Sequence, residues 1–159
     1  MYKALEYLDS RKIKYILYEH EAVFTCEAAD RVCAMIPGTM CKNLFLTDRK
    51  SGKFYLVTLP VTKRLDIKAL TKRLAESSMR FGNSEELMAK LGLLPGSVSP
   101  LGLINNKDND VTFILDSEIG EAETVSIHPN VNTASLTISK DNFRKMYEGF
   151  KNRYSVLDL

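Results

Sequence analysis

The sequence predicts an α/β domain built around a mixed sheet, on three observations. Short runs rich in branched and aromatic residues recur along the chain. Between them, apolar residues return at three- and four-residue steps. One tight hairpin turn interrupts what would otherwise be a strand–helix alternation, which argues against a regular doubly wound sheet. At 159 residues, with 45% hydrophobic residues, the chain fits one domain with a real core, spanning 1–159.

The elements follow in order. Ala4, Leu5 and Leu8 form a helical stripe over 3–9, and 13–18 reads as a strand. Thr25 is a candidate N-cap for a helix over 27–35, with Ala28, Val32 and Met35 near one face, and Pro37-Gly38 ends it. Strands at 44–47 and 54–59 flank the turn Asp48-Arg49-Lys50-Ser51-Gly52, and Pro60 closes the second. Asp66 caps a helix over 67–75 carrying Ile67, Leu70 and Leu74. Ser84 caps another over 85–91, which Gly92 ends. Further strands are expected at 101–104, 111–115, 125–127 and 134–138. Ser139 caps a last helix over 140–150, whose Phe143, Met146, Tyr147 and Phe150 are core residues. The tail after Lys151 is expected to fray.

Composition excludes several classes. No apolar run approaches the roughly 18 residues of a membrane span, and Glu6 interrupts any leader-like apolar stretch, so a cytoplasmic location is expected. The three cysteines, Cys26, Cys33 and Cys41, match no zinc spacing and read as reduced thiols; Cys26 and Cys33 share a helix face, where ordinary packing is expected. No metal or cofactor is expected: neither a dinucleotide loop nor a phosphate loop is present. Net charge is only +2, yet basic residues gather in Lys63, Arg64, Lys68, Lys72 and Arg73. That group reads either as a solvated helix face or as a phosphate-facing patch.

Three segments can carry chemistry. Lys42 stands at the mouth of a strand, where its ammonium can hold a phosphate or support an oxyanion. Asn43 offers a donor and an acceptor, but strand alternation turns it away from Lys42 unless a bulge intervenes. Gly96-Ser97-Val98-Ser99-Pro100 joins a permissive glycine to two hydroxyls, and its N–H groups can form an anion nest or oxyanion hole. His128-Pro129-Asn130 follows an apolar strand; its histidine can orient water or bind a hydroxyl, and a buried structural role fits equally well. His20 is a weaker candidate, and Asp66 and Asp116 look like caps or turn residues. Without a Gly-x-Ser-x-Gly elbow, Ser97 and Ser99 are poor nucleophiles.

In combination these blocks resemble a known family. Lys42-Asn43-Leu44-Phe45-Leu46, Leu59-Pro60 with Lys63-Arg64-Leu65-Asp66, Gly92-Leu93 through Gly96-Ser97-Val98-Ser99-Pro100-Leu101-Gly102-Leu103, and His128-Pro129-Asn130 are similar to the YbaK/ProX aminoacyl-tRNA deacylases, relatives of the prolyl-tRNA synthetase editing domain. The likeness covers about 2–150 and leaves a short C-terminal tail. It implies a strongly curved mixed β-sheet flanked by helices. Within the family, Asn43, Leu103-Ile104-Asn105-Asn106 and the segment 128–134 resemble the free-standing alanyl-tRNA(Pro) deacylases, the ProXp-ala or PrdX-like branch.

That resemblance implies trans-editing: hydrolysis of alanyl-tRNA(Pro) to alanine and free tRNA(Pro). Lys42 is then the functional lysine. Gly96, Ser97 and Val98 supply backbone oxyanion donors, and water attacks with help from the tRNA's ribose hydroxyl. Asn43, Ser99, Pro100, His128 and Asn130 line the aminoacyl pocket. The implied partners are the acceptor stem and aminoacylated terminal adenosine of tRNA(Pro), with prolyl-tRNA synthetase as an associated protein. Lys63, Arg64, Lys68, Lys72 and Arg73 are candidate tRNA contacts. Competing readings are a deacylase of the same fold acting on cysteinyl-tRNA(Pro) or another small aminoacyl-tRNA, a noncatalytic tRNA-binding or synthetase-associated module, and a generic esterase.

Overall fold

The computed structural model describes residues 1–22 and 25–159, with Cys26 and Cys33 described by their backbone alone, so the packing expected of those two side chains lies outside the described residues. Among the described residues six α-helices, α1 (Tyr2–Ser10), α2 (Cys26–Met35), α3 (Ile67–Arg73), α4 (Ser84–Leu91), α5 (Ser117–Glu121) and α6 (Lys140–Glu148), flank a mixed sheet of eight strands. The strands are β1 (Ile16–Glu19), β2 (Thr39–Asp48), β3 (Phe54–Pro60), β4 (Met79–Phe81), β5 (Val111–Asp116), β6 (Thr124–Ile127), β7 (Ala134–Ser139) and β8 (Tyr154–Leu157). Their spatial order is β1-β7-β6-β2-β3-β5-β8, with β4 paired to β2.

β2 is the strand that organises this order. Its first residues run parallel to β6, Thr39 beside Val125 and Met40 beside Ser126. Its last residues run antiparallel to β4, from Leu46 beside Phe81 to Asp48 beside Met79. Along the opposite edge it pairs continuously with β3, from Cys41–Pro60 to Thr47–Phe54, with no bulge. The hairpin turn is held by Asp48, which accepts from the N–H groups of Lys50, Ser51, Ser77 and Ser78. Those donors hold its carboxyl far below the usual carboxylate range, although burial opposes them.

Alternation along the strands splits the core in two. Phe45, Leu56, Phe113, Val125, Ile127 and Leu136 pack on one face with α1, α4 and α6. Leu46, Tyr55, Val57, Leu59 and Ile114 pack on the other with Leu70 of α3. The aromatics of the last helix lie in the first cluster, as expected: Phe143 and Met146 are fully buried and Tyr147 packs edge-on against Phe113.

Several elements differ from expectation. Pro100–Asn105 is a 3₁₀ helix, not a strand, because Pro100 fits the first helical turn and the Ser99 hydroxyl caps it. Asn83, not Ser84, caps α4, because Glu86 reaches back to the Asn83 N–H and completes a capping box. Met35 is 76% exposed rather than on a packed face. The tail does not fray: β8 lies parallel to β5, and Leu157 and Leu159 pack against the second core cluster. β4 and α5 are additional short elements.

Candidate functional site

Asn43, the loop 96–100 and the 128–130 turn are joined where β2 changes partners, and Lys42 lies on the same stretch of strand. Beyond Met40–Ser126, β6 ends at Ile127. Continuing that register by two residues sets Lys42 level with His128. The two share a sheet face, the one opposite to Cys41 and Ile127. Antiparallel pairing of Ile127 with Leu136 brings Ser135 beside His128, and His20 Nε2 lies 2.9 Å from Ser135 Oγ. Lys42 is partly buried, and its ammonium makes no ion pair among the described residues.

Because β2 carries no bulge here, Asn43 faces the other way, as alternation requires. Its Nδ2 donates to the Val98 carbonyl at 3.3 Å, and its Oδ1 accepts from the Thr58 hydroxyl at 2.5 Å. The loop 96–100 is thus tied to β2. It is tied to the 128–130 turn as well: Ser99 Oγ donates to the His128 carbonyl at 2.5 Å, and Asn130 Nδ2 donates to the Leu101 carbonyl at 3.3 Å. Asn130 holds a left-handed backbone, φ 64°, which asparagine tolerates better than most residues. The loop therefore bridges the two sides of the fork in the sheet.

Within the loop, Gly96 has φ +89°, a conformation that disfavours a side chain, and the space where a Cβ would sit is open. The Ser97 N–H is committed to the Leu94 carbonyl at 3.1 Å, which corrects the expectation that it is available as an oxyanion donor. The Gly96 and Val98 N–H groups make no hydrogen bond among the described residues. Ser99 is fully buried, and its oxygen also accepts from the Leu101 N–H, so it braces the loop instead of lining a pocket. Pro100, also buried, starts the 3₁₀ turn.

The ionisable groups set which chemistry is open. Burial pushes the His128 imidazole below its ordinary pKa and His20 adds to that, against the Ala134 carbonyl hydrogen bond, so the ring is neutral at pH 7. Burial pushes the Cys41 thiol up to about 12, which removes it as a thiolate nucleophile. Asp66 caps α3 and Asp116 caps α5, as expected of cap residues.

The basic group divides. Lys63 is held by Asp116 at 2.8 Å and Glu118 at 3.0 Å, so its charge is already matched and it is a poor phosphate contact, contrary to expectation. Arg73 gives one N–H to the Asp158 carbonyl. Arg64, Lys68 and Lys72 are exposed. Thr58, which sequence reasoning missed, is legible in hindsight: extending the hairpin register from Thr47–Phe54 by four pairs sets it opposite Asn43. An open groove of about 670 Å³ lined by Lys53, Tyr55, Ile114 and Tyr154 lies at the far end of β3 and includes none of the expected residues.

The structure is thus a mixed eight-stranded sheet with a lysine at its fork and a loop whose Gly96 and Val98 N–H groups are open among the described residues. Residues 20–146 match the family described as the aminoacyl-tRNA editing domain. The chain belongs to that family, and so to the aminoacyl-tRNA deacylases. It is 30% identical over 152 residues to the prolyl-tRNA editing protein ProX of Acetoanaerobium sticklandii, covering 96% of this chain and 93% of that protein. It is 34% identical over 140 residues to prolyl-tRNA synthetase associated domain-containing protein 1 of Mus musculus, covering 86% of this chain and 82% of that protein. Its fold is shared by hypothetical protein APE2540, TM-score 0.76 at 19% identity, with 97% of each chain covered. It is shared too by a protein proposed as a trans-editing enzyme for prolyl-tRNA synthetase, TM-score 0.74 at 19% identity, covering 99% of this chain and 96% of that one.

Proposed function

We propose that the chain edits mischarged tRNA(Pro) in trans, hydrolysing the ester of alanyl-tRNA(Pro) and sparing prolyl-tRNA(Pro). The observation that supports this reading is the fork in the sheet: at one level stand Lys42, whose ammonium has no ion-pair partner among the described residues, and His128, whose backbone is tied to a loop with N–H groups uncommitted among those residues. An aminoacyl ester is already activated, so a site of this kind needs no nucleophilic side chain. The Gly96 and Val98 N–H groups take the charge that develops on the carbonyl oxygen. Lys42 adds its positive charge or anchors the terminal phosphate. Water attacks the carbonyl carbon with the neighbouring ribose hydroxyl of the terminal adenosine assisting; the bond from the acyl carbon to the ribose oxygen breaks, and that oxygen takes up the proton the water gives up.

Alanine is smaller than proline, so a small pocket admits the wrong amino acid and excludes the right one, which a synthetase pocket selecting by size alone cannot do. Arg64, Lys68 and Lys72 meet the acceptor stem in this reading, with prolyl-tRNA synthetase as the associated protein. The test is deacylation of alanyl-, cysteinyl-, seryl- and prolyl-tRNA(Pro) side by side. Release of alanine with prolyl-tRNA(Pro) intact is expected. Preferred release of cysteine moves the substrate assignment, and salt-sensitive binding with every ester intact defeats catalysis.

A further inference from the structure

The Asn43 amide is engaged at both ends, by Thr58 on one side and Val98 on the other. We propose that Thr58 is a positioning residue for the deacylation reaction: its hydroxyl fixes the orientation of the Asn43 amide, and Asn43 in turn holds the oxyanion loop at Val98. This rests on the deacylase reading of the site.

The argument starts from what each atom can do. The Val98 carbonyl only accepts, so the amide must turn its Nδ2 toward it. Oδ1 then faces Thr58, whose hydroxyl is the group that donates to it. Thr58 is fully buried on a strand paired on both sides, to Asn43 of β2 and to Leu115 of β5. Its branched side chain has few rotamers. The hydroxyl is therefore a fixed reference, and the amide and the loop beyond it are the parts that can move. The Val98 N–H is uncommitted among the described residues, so holding the Val98 carbonyl also aims its peptide neighbours.

Without the hydroxyl, either orientation of the amide leaves a polar atom unpaired. Oδ1 faces a methyl group, or the amide turns over and opposes oxygen to oxygen at Val98. The loop then loses its tie to β2 while the exposed cations of α3 are untouched. Turnover should suffer and affinity for tRNA should not.

Thr58→Val keeps the branched shape and removes the hydroxyl. With alanyl-tRNA(Pro) as substrate, kcat is expected to fall about tenfold while KM stays within about twofold. Thr58→Ser, which restores the donor, recovers most of the loss. In an Asn43→Ala background the same Thr58→Val change costs less than about twofold, because the residue through which it acts is gone. An equal loss in both backgrounds, or no loss in the native one, overturns the inference. Thr58→Ala carries the same test if the valine variant does not fold. If the native chain releases no amino acid from any charged tRNA, the deacylase reading falls on its own account. The tether itself is read separately by NMR of the Asn43 side-chain amide: its protons are protected from exchange in the native protein and exposed in Thr58→Val, and equal exchange in both overturns the claim that Thr58 fixes the amide.

Discussion

Replacing Ser99 by alanine tests how the loop and the turn are joined. Ser99 is fully buried, and its hydroxyl does two jobs: it donates to the His128 carbonyl and accepts from the Leu101 N–H. Alanine removes both. Loss of the cap at the start of the 3₁₀ turn costs about 1 kcal/mol. Leaving the His128 carbonyl without this donor adds about 1–3 kcal/mol. The two together come to roughly 2–4 kcal/mol. For a chain of this size each kcal/mol moves the melting temperature by about 2–4 °C, so a fall of roughly 5–15 °C is expected. Calorimetry reads this directly, with Ser97→Ala as the control: its hydroxyl bonds no described residue, and its Tm should stay within about 2 °C. Deacylation measured at a temperature where both variants are folded should fall for Ser99→Ala as well. A Tm loss below about 2 °C for Ser99→Ala would show that the loop is held by packing alone and that the bridge described above is incidental.

Three further outcomes are expected. Lys42→Ala lowers kcat/KM for alanyl-tRNA(Pro) by about a hundredfold or more in a deacylation assay, and an unchanged rate removes the lysine from the mechanism. His128 is held below the ordinary histidine pKa of about 6.5, so the unfolded chain takes up its proton first. Its contribution to stability is therefore intact above that pH and declines as pH falls toward its lowered value; Tm measured from pH 8 to pH 5.5 should fall more steeply in the native protein than in His128→Asn. Truncation after Arg153 removes β8 and the packing of Leu157 and Leu159, and should lower Tm by several degrees in the same calorimetric assay.

The sequence made the local structure legible wherever a cap or a turn announced it. Thr25, Asp66 and Ser139 each accept from a backbone N–H three residues on, and the Asp48 turn sets the register of β2 and β3. It misled where two local signals competed. Leu101 to Ile104 is an apolar run of strand-like composition, but a proline at its head and a buried hydroxyl before it select the tighter helix. Asn83 and Ser84 both suit a cap, and the choice falls to the one three residues before a glutamate. β8 was hidden because its partner, β5, lies some forty residues away in the chain, and only that pairing orders the tail. At the site, the residue types at 42, 96–100 and 128–130 were readable. Which hydroxyl braces and which amide is already committed depended on contacts across the fork, and no pattern within a single segment carries that information.

The break in β2's pairing has one more consequence. Among the described residues, 42–44 have β3 on one edge and no strand on the other, since β6 stops before them and β4 begins after. Strand parity turns the peptide N–H and C=O of residue 43 toward that vacant edge. An α-amino ester brings an ammonium and a carbonyl, the mirror of what the vacant edge offers. Alanine scanning replaces only side chains, so any grip exerted there by the polypeptide itself would survive every variant in such a scan, and the measured losses would understate what the chain does to its substrate.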